Sequence, residues 1–211
     1  MPDSSSRRRI ALSLIVFAAL ILATIFTFVQ MRHQVALAGA QGPPEYSLLP
    51  DFAFVDQAGR PVDLESLAGA PWIADFIFTR CRGVCPRMTE AMRRLDGPLA
   101  ARPEVRRVSI SVDPEYDSPS VLTAYAAKYG ITDPGWLFLT GEREAIHHLA
   151  VHGFKLAVDD DPPAGTANAD EPILHSTRFV LVDGGGRIRG YYDAFDPESE
   201  SALLMDLAAL H

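Results

Sequence analysis

The stretch Trp72-Ile73-Ala74-Asp75-Phe76-Ile77-Phe78-Thr79-Arg80-Cys81-Arg82-Gly83-Val84-Cys85-Pro86 decides how this chain is read. Trp72–Thr79 is apolar but for Asp75 and the closing threonine, which predicts a strand of the buried type. Pro86 then opens a helical pattern, since a proline at a helix start gives up an N–H that would go unpaired anyway. Met88, Met92 and Leu95 share one face of that helix, and Gly97 ends it. Cys81 and Cys85, the only two cysteines, therefore fall in a strand-to-helix turn. There the unpaired N–H groups and the positive end of the helix dipole favour a thiolate.

Thiolates bind soft metals and exchange disulfides. The Cys-x3-Cys spacing is one residue longer than the Cys-x2-Cys of thiol oxidoreductases, and a single soft cation fits between two thiolates. A purely structural disulfide is disfavoured, because a bridge across so short a loop constrains the unfolded chain little. A metal carrier and a thiol–disulfide oxidoreductase both stay open, and with them whether the chain is an enzyme.

Outward from this turn, the pattern alternates. Phe52 and Phe54, a turn at Gln57-Ala58-Gly59-Arg60, then Val62 and Leu64 predict a hairpin. Val105–Val112 reads as a strand. Ser118-Pro119 reads as an N-cap followed by the first residue of a helix running to Gly130. Trp136–Leu139 reads as a strand, Glu142–Val151 as a helix and Phe154–Val158 as a further strand. Residues 159–172 form an acidic Pro/Gly-rich loop. Arg178–Val182 and Ile188–Tyr192 pair across Asp183-Gly184-Gly185-Gly186, and Ser201–Leu210 closes as a helix. Strands alternating with helices, then a hairpin and a last helix, predict an α/β sheet of the thioredoxin type. In such sheets chemistry gathers beyond the carboxyl ends of strands, where Cys81 and Cys85 lie.

Two thiolates make an incomplete metal site, and histidine is the natural supplement. Of the six histidines, His33 borders the N-terminal apolar run and His211 ends the chain. His147, His148 and His152 read as ordinary helix histidines. His175, between the acidic loop and a strand, is the one that a loop could carry to the cysteines. The run Ser111-Val112-Asp113-Pro114-Glu115-Tyr116-Asp117-Ser118-Pro119 reads as a strand end, a turn and a helix cap. Its functional reading is a negative patch beside the metal mouth, orienting His175 or meeting a basic partner.

The totals, 211 residues with 48% hydrophobic, suit one compact domain with an appendage. Four of the 19 basic residues and one of the 27 acids lie in the first 40 positions, so the remainder is more acidic than the chain's net charge of −8 suggests. An acidic domain is a poor partner for nucleic acid. Ile10–Val29 is an apolar run broken only by Ser13, Thr24 and Thr27, with Arg7-Arg8-Arg9 before it. Its length and flanking charge predict a membrane anchor with residues 1–9 in the cytoplasm and the domain outside. Cleavage as a signal sequence near Ala38 or Ala40 is the competing reading. The expected organisation is thus an anchor at 10–30, a linker at 31–50 and a domain at 51–211, held at a cell inner membrane by a single pass.

Four motifs together resemble the Sco/SenC family, the copper chaperones of cytochrome c oxidase assembly. They are Phe-Thr-x-Cys-x3-Cys-Pro at 78–86, Ser-Val-Asp-Pro-Glu-x-Asp-x-Pro at 111–119, His-Ser at 175–176, and Gly-Arg-Ile-Arg-Gly-Tyr-Tyr-Asp at 186–193. The resemblance covers about residues 45–210. It implies a thioredoxin-like fold with an inserted β-hairpin. It also implies one copper, Cu(I) or Cu(II), per chain, held by Cys81, Cys85 and His175. The partners it implies are a periplasmic copper donor and an acceptor, subunit II of the oxidase or a similar protein, whose copper site is loaded, or whose cysteines are reduced. Arg82-Gly83 stands where the family usually has Pro-Asp, and Tyr116 where a basic residue is common. The added positive charge of Arg82 is expected to lower the thiol pKa values and favour redox exchange.

Overall fold

The computed structural model describes residues 14, 17, 20–31, 42–156 and 176–210. The chain divides into two units, Met1–Gly42 and Pro43–His211. In the second, β1 (Ala53–Val55) and β2 (Pro61–Asp63) form a small antiparallel hairpin. The main sheet has the order β5-β4-β3-β6-β7. Its parallel half is β3 (Trp72–Ile77), β4 (Arg106–Ser111) and β5 (Trp136–Leu139). Its antiparallel half joins β6 (Arg178–Val182) to β3 and to β7 (Ile188–Asp193). The helices are α1 (Val84–Arg94), the single turn α2 (Asp96–Leu99), α3 (Pro119–Lys128), α4 (Arg143–His148) and α5 (Pro197–Ala208). A π turn, Leu149–Gly153, continues α4.

Strand β3 sits at the centre of the sheet and is buried along its whole length. Alternation along it divides the core in two. Trp72, Ala74 and Phe76 face a layer built by the β1–β2 hairpin and α4, with Phe54, Leu67, Ile146, Leu149 and Phe154. Ile73 and Ile77 face α1, α3 and α5, with Cys85, Met88, Met92, Leu122 and Leu203. Phe154 meets Trp72 and Phe76 edge-on, at 6.1 and 5.2 Å between centroids. Each such buried side chain contributes roughly 1.5–3 kcal/mol. At the end of the sheet away from the cysteines, buried Arg107 donates to Asp96 and, at 2.6 Å, to Asp133, and lies over the Trp136 ring. Both cation and carboxylates are thereby paired, which burial of a guanidinium requires.

The segment before β1 is fastened to the hairpin. Tyr46 donates its N–H to the Ile188 carbonyl at 2.9 Å, and Ile188 returns one to Ser47. The Arg189 guanidinium donates to the carbonyls of Pro43 and Pro44.

Several expectations are corrected. Among the described residues no helix is long and apolar enough to cross a membrane. The transmembrane anchor, and the single-pass inner-membrane placement built on it, are therefore overturned. Residues 1–13, 15, 16, 18, 19 and the candidate cleavage sites Ala38 and Ala40 lie outside the described residues. Phe154–Leu156 does not form the expected strand, since Lys155 turns the backbone to φ 54°. Ser118 holds the cap position of α3 but makes no capping bond, its hydroxyl pairing with that of Ser120 instead. Helix α5 starts at Pro197 rather than Ser201, because the Asp196 carboxylate accepts the N–H groups of Glu198 and Ser199.

Candidate metal centre

Strand β3 ends at Ile77, and the chain turns at once: the Cys81 N–H donates to the Phe78 carbonyl at 3.2 Å. Helix α1 begins at Val84, two residues earlier than the Pro86 start that the sequence predicts. Pro86 is the third residue of the helix, where its missing N–H still costs nothing. Cys85 consequently lies inside the first turn of α1, not ahead of it. The residue at the cap, Gly83, has no side chain to satisfy the free donors. The sulfur of Cys81 does so instead, accepting the N–H of Cys85 at 3.3 Å. The two cysteines are thus tied together through the start of the helix, and neither is in a disulfide.

Their environments differ. Cys81 is half-buried, whereas Cys85 is 3% exposed and packs with Met88 and Ile77. Burial pushes the Cys85 thiol far above the ordinary cysteine range, while the Phe78 N–H pulls the other way and Cys81 adds to the rise. The expected lowering by Arg82 and the helix dipole is therefore overridden at Cys85: desolvation outweighs a charge that stands in solvent. A cation arriving at the sulfur reverses that balance, since metal coordination drives the proton off.

A second loop, between β4 and α3, fixes the cysteine turn. The fully buried Asp117 carboxylate accepts the Thr79 N–H at 3.0 Å, the Thr79 hydroxyl and the Ser111 hydroxyl. Next to it, the Arg80 guanidinium donates twice to Asp113, at 2.9 and 2.7 Å, and lies 4.5 Å above the Tyr116 ring. This corrects the reading of 111–119 as a negative patch. Asp113 is neutralised by Arg80, and Asp117 is spent inside the protein. The stretch positions the residues immediately before Cys81, and Tyr116 supplies a platform for Arg80. Sequence reasoning saw the acids and missed this role; the signal available was that Thr79-Arg80 and Asp113 to Asp117 follow the ends of strands that a parallel sheet places side by side.

Asp75 is the other residue the sequence left without a role. It lies on the Cys85 side of β3 and is fully buried, with the Ser109 hydroxyl of the neighbouring strand as a polar neighbour pulling against the effect of burial. Burial raises its pKa to about 7.

His175 lies outside the described residues. The strand it precedes does not. β6 runs antiparallel to β3, with Trp72 opposite Val182 and Ala74 opposite Val180. The start of β6 at Arg178 therefore lies toward the end of β3 from which the cysteine turn departs. The described histidines are elsewhere: His147, His148 and His152 belong to α4 and its π turn, which pack on the opposite face of the sheet from Cys85. Among the described residues no group of three or more His, Cys, Asp or Glu is arranged to hold a metal.

Residues 40–210 match the SCO1/SenC family model. The chain belongs to the SCO1/SenC family. Over 167 residues it is 37% identical to the SCO1 protein homolog of Bacillus subtilis (strain 168), covering 78% of this chain and 83% of the relative. Among solved structures it is similar to BsSco, described as a member of the Sco family of cytochrome c oxidase assembly proteins with a disulfide switch. That match has a TM-score of 0.65 at 36% identity, covering 79% of this chain and 95% of the other. Bradyrhizobium japonicum ScoI with copper bound gives a TM-score of 0.59 at 26% identity, covering 78% and 100%. Within this SCO1/SenC chain, the turn from β3 to α1 is a pair of sulfur donors of unequal burial on a braced loop, which suits a soft ion.

Proposed function

We propose that this SCO1/SenC protein binds one copper ion through Cys81, Cys85 and His175 and delivers it to a copper acceptor of the cytochrome c oxidase subunit II type. One observation carries the reading: the Cys85 N–H to Cys81 sulfur bond at 3.3 Å, which ties the two soft donors to one helix start. The antiparallel pairing of β6 with β3 supports His175 as the third ligand, because the strand that follows it begins at the cysteine end of the sheet. Copper in the related ScoI structure supports the ion's identity, and the family role stated for BsSco supports the acceptor.

The residues divide the work. The exposed edge of Cys81 meets the incoming ion first, and Cys85 completes the grip from the buried side as its proton leaves. Asp117 and Arg80 hold the turn so that little ordering is required on binding. A site of two thiolates and one imidazole leaves a coordination position open. An acceptor ligand enters there before a donor of this chain departs.

A second reading, thiol–disulfide exchange with the acceptor's cysteines, is favoured by the disulfide switch described for BsSco and by the half-exposure of Cys81. The experiment that separates the two is copper stoichiometry on the reduced protein beside its His175→Ala variant. About one copper per chain, strongly weakened without His175, supports delivery. No stable copper in either, with Cys81 and Cys85 cycling through a disulfide, leaves the exchange reading.

A further inference from the structure

Helix α4 and its π turn carry two exposed imidazoles side by side. The rings of His148 and His152 are 4.8 Å apart between centroids, with planes inclined at 46°. Residues four apart share one helix face. This pair straddles the junction where α4 passes into the π turn Leu149–Gly153, in which the Phe154 N–H reaches back to the Leu149 carbonyl at 2.8 Å. Such π turns concentrate at functional sites. Ile146, Leu149 and Phe154 anchor the segment in the core, so the backbone beneath the two rings is held while the rings face solvent.

The ring separation is one that a chelate allows. An ion about 2.0–2.1 Å from a ring nitrogen lies about 3.2 Å from that ring's centroid, so two imidazoles sharing one ion at angles from about 90° to 109° stand about 4.5–5.2 Å apart. The observed separation falls within that interval. Nothing in the cysteine turn uses these rings, which lie on the other face of the sheet from Cys85.

We propose that His148 and His152 form a second metal site, a two-imidazole clasp for a borderline divalent cation, Cu(II) ahead of Zn(II) in the usual order of affinities. With only two protein ligands, its remaining positions are filled by water or by another molecule. It is therefore an exchanging site rather than a structural one. The proposal does not depend on copper binding at the cysteines.

The test is a Cu(II) titration of the full chain carrying Cys81→Ser and Cys85→Ser, followed by electron paramagnetic resonance. One equivalent of Cu(II) with hyperfine structure from two imidazole nitrogens is expected, displaced by excess Zn(II). His148→Ala and His152→Ala should each weaken it on the order of 10²-fold, because the ion loses the second arm of the chelate. His147→Ala, at the neighbouring exposed position, should leave it unchanged. Equal Cu(II) binding by the parent and by the His148 and His152 variants overturns the proposal, as does absence of binding in the parent. Failure of the cysteine site would show only in the chain that keeps both cysteines, so the two failures are distinguishable.

Discussion

The sulfur of Cys81 accepts the backbone N–H of Cys85 at 3.3 Å, so the first cysteine caps the helix that carries the second. This gives the side chain at 81 a structural task separable from metal binding. Serine can perform the task and alanine cannot. We expect Cys81→Ala to be less stable than Cys81→Ser by about 1 kcal/mol, read from urea midpoints of the metal-free proteins, while both lose copper retention. Equal midpoints would remove the capping role.

The unequal burial of the two thiols predicts unequal reactivity. Cys81 is half-exposed, while Cys85 is buried and its thiol is held protonated by desolvation. Brief treatment of the reduced protein with iodoacetamide at pH 8 should alkylate Cys81 at least about tenfold faster than Cys85. Peptide mass spectrometry reads the ratio. Comparable rates in the native protein would contradict the buried setting of Cys85, and in urea the difference should vanish.

Asp117 predicts a link between stability and the site. Replacing it with alanine leaves the Thr79 N–H and the hydroxyls of Thr79 and Ser111 without their acceptor. The expected cost is on the order of 3 kcal/mol, together with faster copper loss in chelator competition, because the residues leading into Cys81 are no longer pinned. Arg80→Ala removes a largely solvent-facing ion pair with Asp113 and the contact with the Tyr116 ring, and should cost about 1 kcal/mol. If Asp117→Ala proves as mild as Arg80→Ala, the bracing role fails.

Asp75 makes a pH prediction of definite sign. Its folded pKa is raised from 3.8 to about 7 by burial, so the folded state holds a proton that the unfolded chain releases. Its contribution is most favourable below pH 3.8 and is lost as pH rises through about 7. Asparagine at this position cannot ionise. The stability of Asp75→Asn relative to the parent should therefore climb between pH 4 and pH 8, by at most about 4 kcal/mol given ~1.4 kcal/mol per pKa unit. A difference that stays flat with pH would mean that the Asp75 carboxyl ionises as easily in the folded protein as in water.

The sheet was legible in the sequence wherever apolar runs were long and bounded. Trp136–Leu139 and Arg178–Val182 form as read, while the expected Trp72–Thr79 stops at Ile77 and Ile188–Tyr192 runs on to Asp193; the central strand β3, buried on both faces, leaves the clearest apolar signature. The cysteine turn was legible too, since proline and glycine punctuate it. Two helix starts were not, although the Ser118-Pro119 start was. Val84 and Pro197 begin helices whose caps are a sulfur and an aspartate, and the first of these is no standard capping residue. The bracing by Asp117 was hidden for another reason. It joins Thr79 to a residue 38 positions away, and a contact between two loops has no period to betray it. The N-terminal run shows the reverse failure: composition and length pointed to an anchor, while among the described residues no helix is long and apolar enough to cross a membrane.

Strand β7 lies at the rim of the main sheet, and residues 46–49 cover its leading end at Gly186–Ile188. A rim strand left bare offers its unpaired N–H and carbonyl groups to any other chain. The bonds that Tyr46, Ser47 and Leu49 make to Ile188 and Gly186 therefore act as a guard against sheet-to-sheet association. A version of the protein beginning at Asp51 would keep every cysteine-site residue named above and lose that guard. Its defect would be clumping rather than a loss of affinity for the ion.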